Sequence, residues 1–180
     1  MQRFSSVRSL AVLALCLVLD AQSLAQPHSI TATSGTPQVT QVNSVFPTAL
    51  RATVRDINGV GVPNIVVTFT PPNVGASCII PAGTYLTDSN GVATVASVQA
   101  NAIAGSYVVT ASVSGVSSPA IFHLVNLAGS PSAIVVVSGS PQSTIVNQDF
   151  PIPLRARVTD AYNNPVRNVL VTFVAPTIGP

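Results

Sequence analysis

Phe46-Pro47-Thr48-Ala49-Leu50-Arg51-Ala52-Thr53-Val54-Arg55-Asp56 occurs again as Phe150-Pro151-Ile152-Pro153-Leu154-Arg155-Ala156-Arg157-Val158-Thr159-Asp160. Asn64-Ile65-Val66-Val67-Thr68-Phe69 returns as Asn168-Val169-Leu170-Val171-Thr172-Phe173 at the same offset of 104 residues, and no gap is needed. A constant offset of that size is the length of one sandwich-sized unit, so the stretch is the mark of a repeated domain. Inside it, Leu50, Ala52 and Val54 alternate with Arg51, Thr53 and Arg55, the period-two pattern of a strand with one buried face. Asp56-Ile57-Asn58-Gly59 reads as a turn, because Asn-Gly tolerates the positive φ that tight turns require. In the strand that follows, Ile65, Val67 and Phe69 share a face, with Val66, Thr68 and Thr70 on the other. Pro71-Pro72 end that strand, since neither ring nitrogen can donate to a ladder.

Working outward, Ile30–Thr33 and Val39–Val42 are short β-favouring runs separated by Ser34-Gly35-Thr36-Pro37. A strand split in this way suits a sheet edge, where Pro removes no needed bond. Downstream come Ser77–Ile80, Tyr85-Leu86, a turn at Thr87–Gly91, Val92–Val98, a loop at Asn101–Gly105, Ser106–Ser114 and Ala120–Asn126. No stretch has a helical period. Seven or eight short strands at this spacing predict a two-sheet antiparallel sandwich.

Ala128-Gly129-Ser130-Pro131 reads as a linker. Beyond it Ala133–Val137 restarts the first strand, and Ser138-Gly139-Ser140-Pro141-Gln142 restates Ser34-Gly35-Thr36-Pro37-Gln38. Counterparts of the Asp88–Gly91 turn and of the Tyr107 strand would fall beyond Pro180. The expectation is therefore one complete unit at 28–127 and a truncated one at 131–180. The second would lack more than half its strands, close no core of its own and be loosely ordered or open to proteolysis.

Of 180 residues, 47% are hydrophobic and 7% charged, with no Lys and no Glu. Arg3 and Arg8, the apolar run Leu10–Leu19 and the small-x-small site Ser23-Leu24-Ala25 have the form of a secretory signal peptide cleaved after Ala25. Leu10–Leu19 is far short of the roughly 20 residues that cross a bilayer. Lipid attachment at Cys16 is the rival, but Leu15 stands where a small residue is wanted and the apolar run continues past it. The mature chain is thus expected to be secreted or on the cell surface, with no membrane span after signal cleavage. It keeps five Arg and four Asp, no footprint for nucleic acid, which needs clustered basic residues. Cys78 is its single cysteine, so no internal disulfide forms, and its apolar setting marks a small buried hydrophobe.

Three motifs carry a resemblance. Phe46…Leu50-x-Ala52-x-Val54-x-Asp56-x-x-Gly59 running into Val66-Val67-Thr68-Phe69 resembles bacterial Ig-like repeats. So do Thr87-Asp88-Ser89-Asn90-Gly91-Val92-Ala93-Thr94 and Ala104-Gly105-Ser106-Tyr107-Val108-Val109-Thr110-Ala111. Together they are similar to the Big-1, invasin/intimin type found in tandem on bacterial surface proteins. The resemblance implies all-β, Ig-like antiparallel β-sandwich repeats with a non-enzymatic role as spacer or adhesive module. Its implied partners are neighbouring Ig-like repeats and an unidentified surface receptor or glycan. In the invasin/intimin type the receptor-binding tip and the membrane anchor are separate domains, so no binding residue carries over. One departure stands out: the second unit reads Asp160-Ala161-Tyr162-Asn163-Asn164-Pro165 where the first has Gly59-Val60-Gly61-Val62-Pro63, its Pro displaced. That suggests a looser turn in the first unit.

Candidate chemistry is sparse. Asp56-Ile57-Asn58-Gly59 and Asp88-Ser89-Asn90-Gly91 resemble the start of a calcium loop, but such a loop ends on a bidentate Glu. Asx side chains bonding local backbone explain them instead. Asp56 and Asp160 are equivalents a domain apart, too distant to share a proton. His28 lies near the new N-terminus, and His123 sits on a strand between Phe122 and Leu124, facing solvent or a partner. Arg51, Arg55, Arg155 and Arg157 are solvated strand charges. Tyr107 points inward with Val109 and Ala111 and resembles the corner tyrosine of Ig-like sandwiches, whose hydroxyl bonds nearby backbone. No catalytic residue, cofactor-binding residue or metal ligand is identified, and no cofactor is implied. A carbohydrate-binding accessory module of a secreted enzyme is the alternative function; against it, sugar platforms usually need exposed planar aromatics, and the chain has no Trp and only Tyr85, Tyr107 and Tyr162.

Overall fold

The computed structural model describes residues 25–177; the leader reading therefore lies outside the described residues except for Ala25. The chain forms β1 (Ser29–Ser34), β2 (Gln38–Gln41), β3 (Leu50–Arg55), β4 (Val66–Thr70), β5 (Cys78–Ile79) and β6 (Thr84–Leu86). β7 (Val92–Val95), β8 (Gln99–Ala100), β9 (Gly105–Ser112), β10 (Ala120–Leu127), β11 (Ala133–Ser138) and β12 (Arg155–Thr159) follow. Among the described residues no helix is long and apolar enough to cross a membrane.

In the first unit a three-stranded sheet, β1-β3-β7, faces a five-stranded sheet, β2-β10-β9-β4-β6. Their inner faces are the alternating residues read from the sequence. Leu50, Val54 and Val95 on one side meet Val67, Val109, Phe122 and Leu124 on the other, all at 0% exposure. Each such side chain contributes roughly 1.5–3 kcal/mol on burial, which is why the two alternating faces choose each other. Phe69 completes the layer, edge-on to Tyr85 at 5.7 Å and tilted against Phe122 at 5.8 Å.

The split first strand does more than border one sheet. β1 is the edge of the three-stranded sheet and β2 the edge of the five-stranded one, so the chain changes sheets at Gly35-Thr36-Pro37. Gly35 has φ +83°, and a Cβ there would lie 2.6 Å from Ala49 O; only glycine fits this crossing. The Gln38 amide then braces it, donating to Gly35 O and Thr48 O and accepting from the Thr48 N–H. One pair departs from the antiparallel rule: β2 runs parallel to β10, Gln38 opposite Leu124 through Gln41 opposite Leu127.

The 104-residue repeat holds at the level of individual hydrogen-bonded pairs. Ile30 opposite Val54 and Ala32 opposite Ala52, with a bulge before Ser34, return as Ile134 opposite Val158 and Val136 opposite Ala156, with a bulge before Ser138. The Gln38 brace returns as Gln142 on Ile152. The turns also match: Asp56 N–H to Val60 O, Gly59 N–H to Asp56 O and Val62 N–H to Val54 O recur as Asp160 to Asn164, Asn163 to Asp160 and Val166 to Val158. The turn of the first unit is therefore not the looser one. The real difference lies one residue on. Gly61 is pressed against the backbone of Asn90, where a Cβ would collide, whereas its equivalent Pro165 lines a groove beside the first unit.

Among the described residues the repeat of paired strands ends at β12. β4 is held by β9 on one side and β6 on the other, but its equivalent, 170–174, pairs with no strand among the described residues. The apolar set of the second unit is correspondingly open: Ile134 at 58%, Phe150 at 58%, Leu154 at 57% and Phe173 at 57% match residues of the first unit that are at most 6% exposed.

Candidate functional site

The residues weighed from sequence do not converge. Asp56 Oδ1 accepts the Asn58 and Val60 N–H groups, and Asp88 Oδ1 those of Asn90 and Val92, so both are Asx turns whose carboxylates bond local backbone. His123 is exposed on β10, and Arg51, Arg55, Arg155 and Arg157 are exposed on their strands. The Arg55 guanidinium donates to Gly59 O within its own turn. Among the described residues no three or more of His, Cys, Asp and Glu come together. Of the tyrosines, Tyr85 is half-buried against Phe69, Tyr107 is buried, and Tyr162 alone is exposed. They form no common platform for a sugar.

What the structure does bring together is the joint between the two units. Asp160 and Asn164 are 3% and 7% exposed. They are the first and last residues of the turn after β12, so their side chains share one face of it. Asp160 Oδ1 takes the N–H groups of Tyr162 and Asn164, as Asp56 does in the first unit. Its second oxygen reaches further: Oδ2 accepts the Gly129 N–H at 2.8 Å and the Asn164 side-chain amide at 2.9 Å. The linker is thereby pinned at its second residue.

Asn164 closes the joint. Its Nδ2 donates to Ala102 O at 2.8 Å, and its Oδ1 accepts the Ala104 N–H at 2.8 Å. One planar amide thus grips the 101–104 loop of the first unit as a strand would. Its equivalent Val60 has no amide to offer and is 61% exposed. A groove of about 440 Å³ runs beside the grip, between Ala104, Val125 and Leu127 on one unit and Pro165, Val166 and Arg167 on the other.

Burial opposes ionisation of Asp160, but the hydrogen bonds from the Asn164 side chain, Gly129 N–H, Asn164 N–H and Tyr162 N–H outweigh it and hold the carboxyl down at about 2. Hydrogen bonds to the charged form lower a carboxyl pKa in this way. The joint is an anion ringed by donors.

Behind the loop lies a buried amide network in the first unit. Asn126 is 1% exposed on the inner face of β10. It accepts the Tyr107 hydroxyl at 3.0 Å and donates to Ser77 O, Asn101 Oδ1 and Ile103 O. The Tyr107 hydroxyl therefore bonds a side chain, not the backbone that the corner-tyrosine comparison implied. Cys78, 6% exposed on β5, sits within reach of the same hydroxyl. Burial pushes its thiol up to about 11, with the Tyr107 hydrogen bond pulling the other way. Among the described residues no buried side-chain nitrogen or oxygen lacks a partner. The buried side-chain amides of Asn164 and Asn126 are fully engaged, and that of Asn164 ties the two units together.

Sequence reasoning saw Asp160 only as the copy of Asp56 and did not single out Asn164, Asn126 or Asn101. The signal for Asn164 was present in the departure from the repeat at Asn163-Asn164-Pro165.

No family model matches the chain. The chain is 38% identical over 135 residues to the inverse autotransporter adhesin YeeJ of Escherichia coli (strain K12), which takes in 73% of this chain and 6% of that protein. The chain thus spans a small fraction of the length of this curated relative. Among solved structures it is similar to the Escherichia coli adhesin FdeC, at 17% identity and a TM-score of 0.46 over 78% of this chain and 42% of that one. It is also similar to invasin, a bacterial integrin-binding protein, at 24% identity and a TM-score of 0.43 over 76% of this chain and 27% of that one. The resemblance to bacterial Ig-like repeats of the Big-1, invasin/intimin type is borne out by the sequence shared with the first of these.

Proposed function

We propose that the chain is a non-enzymatic, exported segment of a bacterial surface adhesin, and that within it these Ig-like repeats serve as a spacer that fixes the direction of the array. The single observation that carries this reading is the Asn164 amide bonded to Ala102 O and Ala104 N–H, with Asp160 Oδ2 holding the linker at Gly129. A flexible tether would need none of these bonds. A segment that must project something away from a surface needs a stiff joint, because each free swivel shortens the mean reach of the array. The secretory leader expected at 1–25 would deliver the chain to that surface.

The test is a distance distribution between spin labels on the two units of the full chain. Leu86 and Ile145 are 62% and 79% exposed, and Leu86→Cys with Ile145→Cys, in a Cys16→Ser, Cys78→Ala background, places one label on each. A spacer gives one narrow distribution; a broad one, as from a random linker, would remove the spacer reading. Surface labelling of intact cells, with N-terminal sequencing that finds Gln26 first, checks export.

A further inference from the structure

We infer that Asn126, with Tyr107 and Asn101, acts as a positioning residue for the interdomain joint: it holds the 101–104 loop in the one shape that Asn164 can grip. The inference rests on the spacer reading of the joint and locates the control of that joint inside the upstream domain.

One inward position of β10 breaks the pattern of the strand. Ala120, Phe122 and Leu124 are the buried residues of β10, and by alternation the next inward position should be apolar. It is Asn126, 1% exposed. An apolar side chain would fill that place without the desolvation cost of an amide. The amide is instead used to its limit. Its Oδ1 takes the Tyr107 hydroxyl at 3.0 Å, and its Nδ2 donates to Ser77 O at 2.9 Å, Asn101 Oδ1 at 3.0 Å and Ile103 O at 3.1 Å.

The loop itself has little to hold it by packing, since the Ile103 side chain is 46% exposed. It is gripped by polar groups from two sides. From within, Asn126 takes Ile103 O and Asn101 Oδ1 takes the Ile103 N–H. From without, Asn164 takes Ala102 O and the Ala104 N–H. The backbone groups of residues 102, 103 and 104 are thus bound in alternation by the turn of the second unit, the polar network of the first, and the turn again. Asn101 is fixed in turn: its Nδ2 donates to Gly75 O and its Oδ1 accepts the Ser77 N–H. Fully satisfied buried networks of this kind specify one geometry more than they add stability, and here the geometry specified is a docking edge.

The experiment uses the full chain with labels at positions 86 and 145 and three substitutions, Asn164→Val, Asn126→Leu and Tyr107→Phe. Circular dichroism and a cooperative thermal transition confirm that the first unit stays folded. The inference expects the distance distribution to broaden in all three. It also expects the Ala104 amide to exchange about tenfold faster in Tyr107→Phe, the worth of one lost hydrogen bond. Asn126→Leu added to Asn164→Val should broaden the distribution no further, because both act on the same grip. If Asn164→Val broadens it while Tyr107→Phe leaves both the distances and the Ala104 amide unchanged, the positioning role is wrong and the spacer reading stands. If Asn164→Val leaves a narrow distribution unchanged, the joint is held elsewhere and this inference falls, whereas a distribution already broad in the unsubstituted chain removes the spacer reading itself. Should Asn126→Leu fail to fold, Tyr107→Phe, which removes only a hydroxyl, decides the matter.

Discussion

Asn164 donates twice to the Asp160 carboxylate, its backbone N–H to Oδ1 at 2.8 Å and its side-chain amide to Oδ2 at 2.9 Å. The carboxylate therefore orients the amide that grips the first unit, and the joint depends on the charge of Asp160. Its carboxyl is held at about 2, below the ordinary 3.8. A depressed folded pKa stabilises the joined state fully above the ordinary value, and the contribution is lost as pH falls through the folded one. The joint is thus expected to be intact above about pH 4 and to loosen between pH 4 and pH 2. Small-angle X-ray scattering of the full chain should show the maximum dimension or its spread changing over that window. The same curve for Asp160→Asn should be flat there; a change of equal size in that variant would assign the transition to other carboxylates.

Asn164→Val installs at the joint the residue that the first unit carries at Val60. The substitution removes two hydrogen bonds between units, worth about 0.5–1.5 kcal/mol each. The linker from Ala128 to Ser132 should then open more often. Thermolysin cleavage in that segment is expected to speed up by about tenfold or more, provided opening and closing are fast relative to cleavage. Unchanged cleavage would mean that the two bonds do not limit access to the linker.

Cys78 is buried beneath the Tyr107 hydroxyl with its thiol raised to about 11. Thiolate is the reactive form, so at pH 8 this cysteine should react with an aromatic disulfide reagent far more slowly than a free thiol. Urea that unfolds the first unit should release the reaction at the same midpoint as loss of circular dichroism. Rapid labelling of the native chain would show that β5 opens separately from the sandwich.

The fold was legible because it rests on local alternation. Leu50, Ala52 and Val54, or Val67 and Phe69, declare their faces within a few residues, and the copy 104 residues on confirms each one. The parallel pairing of β2 with β10 was not legible, since Val39–Val42 looks the same whichever neighbour it finds. Thr53 and Thr87 are also buried, at 5% and 3%, against their usual exposure. The Thr87 hydroxyl donates to Val62 O and accepts the Ile65 N–H, a local need that no periodicity announces. The joint was hidden for a different reason: Asn164 meets Ala102 and Ala104 about sixty residues away in sequence. Two members did leave a local signal: Asn126 is an amide standing where the alternation of β10 asks for a hydrophobe, and Asn164 lies in the departure from the repeat.

The repeat supplies its own control for core energetics. Leu50 opens β3 and its equivalent Leu154 immediately precedes β12, yet one is 0% and the other 57% exposed. In the first unit the residue lies between two sheets; in the second, among the described residues, the facing sheet has no counterpart. Leu50→Ala removes packed methyl groups and leaves a cavity, a loss of about 2–5 kcal/mol. Leu154→Ala removes groups that are already largely in water and should change stability by less than about 1 kcal/mol. Phe46 and Phe150, at 4% and 58%, should divide in the same direction on substitution by alanine. Urea titrations of the full chain, followed by hydrogen exchange at β3 and β12 separately, measure both. Equal costs for Leu50→Ala and Leu154→Ala would mean that the second unit has a packed core of its own. Unequal costs would assign the stability of the pair to the first sandwich, with the second unit held chiefly by its own β11–β12 ladder and by the grip of Asn164.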